Sequence, residues 1–223
     1  MKANLILQHF DGNLRELDLL SIANIQRYAE YVNADYELIR GKPFSADLTA
    51  PCQKVYMLNE CFDSWDTVLM LDIDMFAPSN MKENVFDVEG IGMRNKVQTD
   101  LHNRLSKAHP DLASLTAPYW GGAIYKMSKD IRKKLRDNIS ASWMKTYNKN
   151  YYYEDEGIMH TLAYKADLKH DNKMYLNQKW CQCSYLPNPE SAGFIHIRTK
   201  VTPTGPKREK IENYNELVRK GIL

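Results

Sequence analysis

The chain has 223 residues, room for one large α/β domain or two small ones at roughly 150 residues per domain. Lys and Arg total 30 against 28 Asp and Glu, and a net charge of +2 leaves no positive field with which to hold a polyanion, so a nucleic-acid partner is not expected. Apolar residues make up 43% and charged residues 26%, which excludes disorder for the bulk of the chain; the longest apolar runs are strand-sized, far below the roughly 18 residues that span a bilayer.

The N-terminal apolar stretch is too short for a secretory signal and no small-residue cleavage site follows it, so a cytoplasmic chain without a membrane span is expected. Cys52, Cys61, Cys181 and Cys183 do not have the paired Cys-x-x-Cys spacing of a structural zinc site and read as ordinary thiols.

Residues 4–8 form an apolar strand that runs into the turn-former Asp11-Gly12-Asn13 and leaves His9, Phe10 and Asp11 at a strand's carboxyl end, where open α/β sheets bind ligands. Leu20, Ile22, Ile25, Tyr28, Ala29 and Val32 recur at three- and four-residue steps, predicting an amphipathic helix over 17–32 that ends near Asn33. A strand over 35–40 closes at Gly41, a second helix is predicted over 53–64, and 66–74 reads as a continuous apolar strand ending in Asp72-Ile73-Asp74. Strand, helix, strand, helix, strand is the alternation of a parallel sheet with helices on both faces.

Beyond it, 90–93 is a short strand, 97–116 is polar and partly helical, and 117–127 is a turn feeding another strand. Ser128 caps a helix over 128–139 whose apolar stripe is Ile131, Leu135 and Ile139, leaving Lys133, Lys134 and Arg136 as a solvated face. A helix begins with 156–163 after an acidic triplet, and 193–197 is a short strand holding His196. Residues 1–201 are read as one domain, and 202–223, opening with Pro203, Gly205 and Pro206 and continuing as a charged helix over 208–220, as a tail, flap or linker.

As a string, Asp-x-Asp arises by chance; its placement carries the information. Two carboxylates at the exit of a buried strand either cap it in contact with solvent or share a divalent cation, because leaving them unpaired in an apolar surround is costly. Glu154, Asp155 and Glu156 at a helix start suit the helix dipole as caps, yet one of them, flanked by Tyr151–Tyr153 in a cleft, could take a proton from a hydroxyl. His196, on a short apolar strand, reads by itself more often as a satisfied core histidine than as a ligand. Trp120-Gly121-Gly122 marks a close approach of backbone to a ligand or another segment.

Taken together, the apolar strand ending in Asp72-Ile73-Asp74, the Gly121-Gly122 turn entering a strand, Glu154-Asp155 at a helix start and the late His196 resemble the GT-A-type glycosyltransferases. These move a sugar from a nucleotide diphosphate donor to an acceptor hydroxyl. The helix and strand between Ile22 and Leu38 also look like the family's second unit. The resemblance implies a GT-A-like, Rossmann-like single domain with a mostly parallel sheet.

It also implies that Asp74 and His196 bind Mn2+ or Mg2+, with Asp72 on the metal or the donor ribose and Arg198 or Lys200 near the leaving diphosphate. His9, Phe10 and Asp11 would hold the base, Lys54 would lie near the donor sugar, and Trp120, Gly121 and Gly122 would line the sugar pocket. Asp155 matches the base of inverting members, with Glu154 and Glu156 as rivals, and His196 lacks the His-x-x-Gly-x-x-Lys-Pro-Trp ending of a well-known retaining group. The implied partners are a nucleotide-sugar donor, with UDP favoured, and a glycan or glycoprotein acceptor, as in bacterial or large-virus enzymes that build surface or capsid glycans.

Other readings fit less well. A sugar nucleotidylyltransferase would want a glycine-rich phosphate loop after the first strand, where the chain has only Gly12. A haloacid dehalogenase-type phosphatase would carry Thr or Val where Phe76 stands and its acidic pair nearer the N-terminus. A non-catalytic carbohydrate- or nucleotide-binding module of the same fold is the non-enzyme alternative.

Overall fold

The structure, a computed structural model, describes residues 2–94, 116–140 and 154–223. Residues 97–115 of the predicted polar stretch 97–116 and the tyrosines Tyr151–Tyr153 lie outside the described residues.

The chain begins with β1 (Lys2–Phe10), α1 (Glu16–Tyr31) and β2 (Asp35–Arg40). Leu5, Ile6 and Leu7 are all buried, and the strand alternation sends Leu5 and Leu7 into one apolar layer and Ile6 into the other. Ile25, Tyr28 and Ala29 bury one face of α1 against the second layer. Asn33 then takes the left-handed conformation at φ 53°, which a short polar side chain tolerates, and the helix stops there.

The helix expected over 53–64 is instead two 3-10 segments, Pro51–Leu58 and Glu60–Phe62. Asn59 separates them: its backbone is extended, at φ −61° and ψ 146°, and its side-chain oxygen accepts from the Cys61 N–H at 3.0 Å, competing with the helical ladder. The next strand, β3 (Trp65–Leu71), ends before the acidic pair. Asp72-Ile73-Asp74 forms a turn, with the Met75 N–H donating to Asp72 O, and β4 (Met75–Phe76) enters a different sheet.

There follow β5 (Gly92–Arg94), β6 (Trp120–Ser128), α2 (Lys129–Arg136), α3 (Glu154–Lys165), β7 (Tyr175–Leu176), β8 (Gln182–Cys183), β9 (Ile195–His196) and α4 (Lys210–Arg219). The central six-stranded sheet has the order β2-β1-β3-β6-β5-β7, and a small second sheet has the order β4-β9-β8. The central sheet is mostly parallel: β1 pairs parallel with β2 and β3, and β5 with β7, while β6 runs antiparallel to both its neighbours.

Ser128 caps α2 by accepting from the Ile131 N–H, and Lys133 and Lys134 are exposed as expected. Arg136 is not part of that solvated face. It forms a two-bond pair with Asp63 and donates to Leu58 O, tying α2 to the 3-10 segments. The four cysteines form no disulfide. Among the described residues no helix is long and apolar enough to cross a membrane.

Candidate functional site

The carboxyl ends of β1 and β3, the glycine pair at the start of β6, the first turn of α3 and strand β9 surround one cleft of about 490 Å³, a size that suits a small-molecule ligand. It is lined by His9, Phe10, Asp11, Lys54, Asp72, Asp74, Gly121, Gly122, Asp155, Glu156, His196 and Arg198. Positions spread over almost the whole sequence meet here because parallel strands return their carboxyl ends to the same edge.

On one wall, the ligand atoms of Asp72, Asp74 and His196 lie within 4.8 Å of one another. His196 Nε2 is 3.1 Å from Asp74 Oδ1 and 3.9 Å from Asp72 Oδ2. The pairing of β4 with β9, which sets Met75 opposite His196, fixes this approach. Burial would raise the Asp74 pKa, but His196 and Lys210 outweigh it and hold the carboxyl well below its ordinary value. Two carboxylates and an imidazole make a donor set that fits a divalent cation such as Mn2+ or Mg2+.

Lys54 joins this wall to the next. Its buried ammonium lies 2.7 Å from Asp72 Oδ1 and 2.8 Å from Asp155 Oδ2, and donates to Gly122 O as well. Burial opposes its charge, yet Asp155 and Asp72 prevail and raise its pKa above the ordinary value. Asp155, on the first turn of α3, is pushed up by burial while Lys54 pulls it back, and the Tyr125 hydroxyl donates to its Oδ2 at 3.2 Å. Glu156 is held differently: its Oε1 accepts from the Gly122 N–H at 2.8 Å and its Oε2 from the Tyr119 hydroxyl at 3.4 Å.

At the far end, the imidazole of His9 donates from Nε2 to Gly41 O at 2.7 Å, and burial lowers its pKa. Phe10 presents its ring, with the Arg40 guanidinium 6.0 Å from the centroid. Arg198 Nη1 is 3.4 Å from His196 Nε2, which puts a fixed positive charge beside the Asp-Asp-His set.

Two of the residues singled out from the sequence, Trp120 and Lys200, stand apart from this cleft. Trp120 is fully buried, and its indole donates to Met174 O at 2.9 Å, so it packs in the core and offers no stacking face. Lys200 lines a second cavity and donates to Pro203 O at 3.3 Å, because the chain turns back on itself between Lys200 and Lys207. Glu154 begins α3, and its side chain is outside the described residues. Two contributors went unmarked in the sequence: Tyr125 on β6 and Lys210 on α4, whose ammonium pairs with Asp74 Oδ2. Tyr125 lies in a run of consecutive buried residues on β6 and reads from sequence as core. Lys210 left no local signal, as it is 136 positions from its partner.

No family model matches the chain, and no curated protein matches it by sequence. Among solved structures, the chain is similar to the crystal structure of a glycosyltransferase involved in the glycosylation of the major capsid of PBCV-1. The TM-score is 0.58 and the identity 11%, over 97% of this chain and 99% of that one. At that identity the likeness is one of fold: the chain shares the fold of that glycosyltransferase, and its Asp72, Asp74 and His196 are compatible with an Asp-x-Asp cation site.

Proposed function

We propose that the chain is a metal-dependent glycosyltransferase that moves a sugar from a nucleoside diphosphate sugar, with UDP favoured, to a hydroxyl of a glycan or glycoprotein acceptor, inverting the anomeric centre. The observation that carries this reading is that the Asp72, Asp74 and His196 set and the carboxylate of Asp155 line the same cleft in a fold shared with a glycosyltransferase. Bound by that set, Mn2+ or Mg2+ would supply charge neutralisation for the leaving diphosphate.

The chain's own residues account for the rest. Arg198 adds a fixed positive charge on the diphosphate side, and Phe10 and Asp11 offer a ring and a carboxylate to the base. Gly121 leaves room for the sugar against backbone, while the space beside Gly122 is taken by the Asp155 carboxylate. Asp155 accepts the proton of the attacking hydroxyl through Oδ1, while Oδ2 is held by Lys54 and Tyr125. Glu156 is the weaker base because each of its oxygens already accepts a hydrogen bond. A phosphatase or a non-catalytic binding module is not favoured: the fold is shared with a glycosyltransferase, and the buried Asp155, held by Lys54 and Tyr125 at the cleft, does more than cap a helix.

The direct test supplies UDP-, GDP- and dTDP-sugars with Mn2+ and simple glycoside acceptors, and follows nucleoside diphosphate release and the anomeric configuration of the product by NMR. Sugar transfer with inverted configuration is expected. Hydrolysis of phosphate monoesters without transfer would contradict the reading.

A further inference from the structure

We infer that α4, at the C-terminal end of the chain, braces the cation side of the cleft, with Lys210 as the positioning residue for Asp74. This rests on the reading of Asp72, Asp74 and His196 as a cation-binding set.

Asp74 has two carboxylate oxygens, and each faces a different neighbour. Oδ1 is 3.1 Å from His196 Nε2, and both residues line the cleft. Oδ2 is taken by the Lys210 ammonium, and Lys210 is not among the residues that line the cleft. Lys210 thus grips the back of the carboxylate and leaves the front oxygen directed at the cation position. A ligating carboxylate held in this way by an outer partner loses less orientational freedom when it binds a cation.

The anchor for Lys210 is itself well packed. Leu217 is buried, and the Tyr214 ring lies 4.9 Å from that of Phe76, two residues beyond Asp74. Ile211, Tyr214 and Leu217 join Leu17, Phe76 and Ile197 in one apolar cluster. Asn213, also buried, donates its side-chain amide to Arg198 O and, at 3.2 Å, to Lys200 O. One helix therefore grips both Asp74 and the segment after β9 that carries Arg198, so the segment read from sequence as tail or linker supports the cation side of the site.

Titration with Mn2+ alone, followed by the loss of the free-ion EPR signal, tests the inference, with the melting temperature of each variant recorded alongside. Lys210→Met is expected to weaken Mn2+ binding by about 10- to 100-fold, Lys210→Arg to restore it close to wild type, and Lys220→Met, which removes a charge near the same helix without reaching Asp74, to leave it unchanged. Lys210→Gln replaces Lys210→Met if the latter does not fold, with the same loss expected. Unaltered or tighter Mn2+ binding by the folded Lys210→Met or Lys210→Gln variant would overturn the inference while leaving the cation site standing; tighter binding would mean that Lys210 competes with the cation. Failure of the wild-type chain to bind Mn2+, with or without UDP, would overturn the cation reading and the inference together.

Discussion

Gly122 has no side chain where Asp155 stands. An ideal Cβ on Gly122 would fall inside the contact distance of Asp155 Oδ2 and only 3.1 Å from its Oδ1 and Cγ. Asp155 cannot retreat, since Lys54 and Tyr125 hold the same carboxylate. Gly122→Ala is therefore expected to displace Asp155 or the start of β6, lowering stability by about 1–3 kcal/mol and lowering transfer activity by more than the stability loss explains. Thermal unfolding and a transfer assay on the same preparation check this; a variant with wild-type activity would mean that Asp155 is not needed where it stands.

Lys54 neutralises two carboxylates from within the core. Lys54→Met should destabilise the fold by about 3–5 kcal/mol, because removing one partner leaves buried charge without compensation. Adding Asp155→Asn to it should recover a substantial part of the loss. Urea unfolding of the two single variants and the double variant measures the coupling, and strictly additive effects would contradict the pairing.

Asp155→Asn is expected to retain donor binding and to slow transfer by about 100- to 10,000-fold, the usual contribution of a general base. Lys54 keeps Asp72 as a partner in this variant, so the fold should survive. Donor affinity by calorimetry and turnover by diphosphate release separate the two effects; unchanged turnover would remove Asp155 from the proton transfer.

Asp74→Asn and His196→Ala should each abolish Mn2+-dependent nucleotide binding, and chelation with EDTA should do the same to the wild-type chain. Calorimetric titration with UDP in the presence of Mn2+ reads this directly. A wild-type response in either variant would take that residue out of the cation set.

A pH dependence follows from Lys126, which lies outside the cleft. Its ammonium donates to Val85 O and Val88 O, and burial pushes its pKa down to about 8 from an ordinary 10.5. Between those values the unfolded chain holds a proton at Lys126 that the folded chain lacks. The stability contribution of this group therefore rises as pH climbs from about 8 towards 10.5 and is lost as pH falls through 8. The stability difference between wild type and Lys126→Met should shift in favour of wild type over that window, as read by chemical unfolding at a series of pH values. A flat difference would contradict the lowered pKa.

The sheet's first half was legible because β1, α1, β2 and β3 each carry their own apolar period. Asn59 shows where that reading fails: apolar residues on either side suggest one helix, but a single side chain competing for backbone N–H groups splits it. At the cleft, Asp72, Asp74, Lys54, Asp155 and His196 were legible through their order along the chain. Trp120 was misplaced because a tryptophan beside two glycines looks like a pocket wall, whereas its ring is buried in the same apolar layer as Tyr119 and Tyr125. Lys200 follows Arg198 by two positions, but the turn back towards Lys207 carries it into a separate cavity. Lys210 depends on how α4 packs, a tertiary fact with no local pattern to announce it.

The melting temperature of the chain with UDP, GDP or dTDP, each with and without Mn2+, tests the central claim most directly. A ligand that binds only the native state adds about 2.7 kcal/mol at 100 times its Kd, which for a chain of this size is a shift of several degrees. The account predicts such a shift for one nucleotide, largest for UDP, that disappears without Mn2+ and in Asp74→Asn. No metal-dependent shift with any of the three would contradict it.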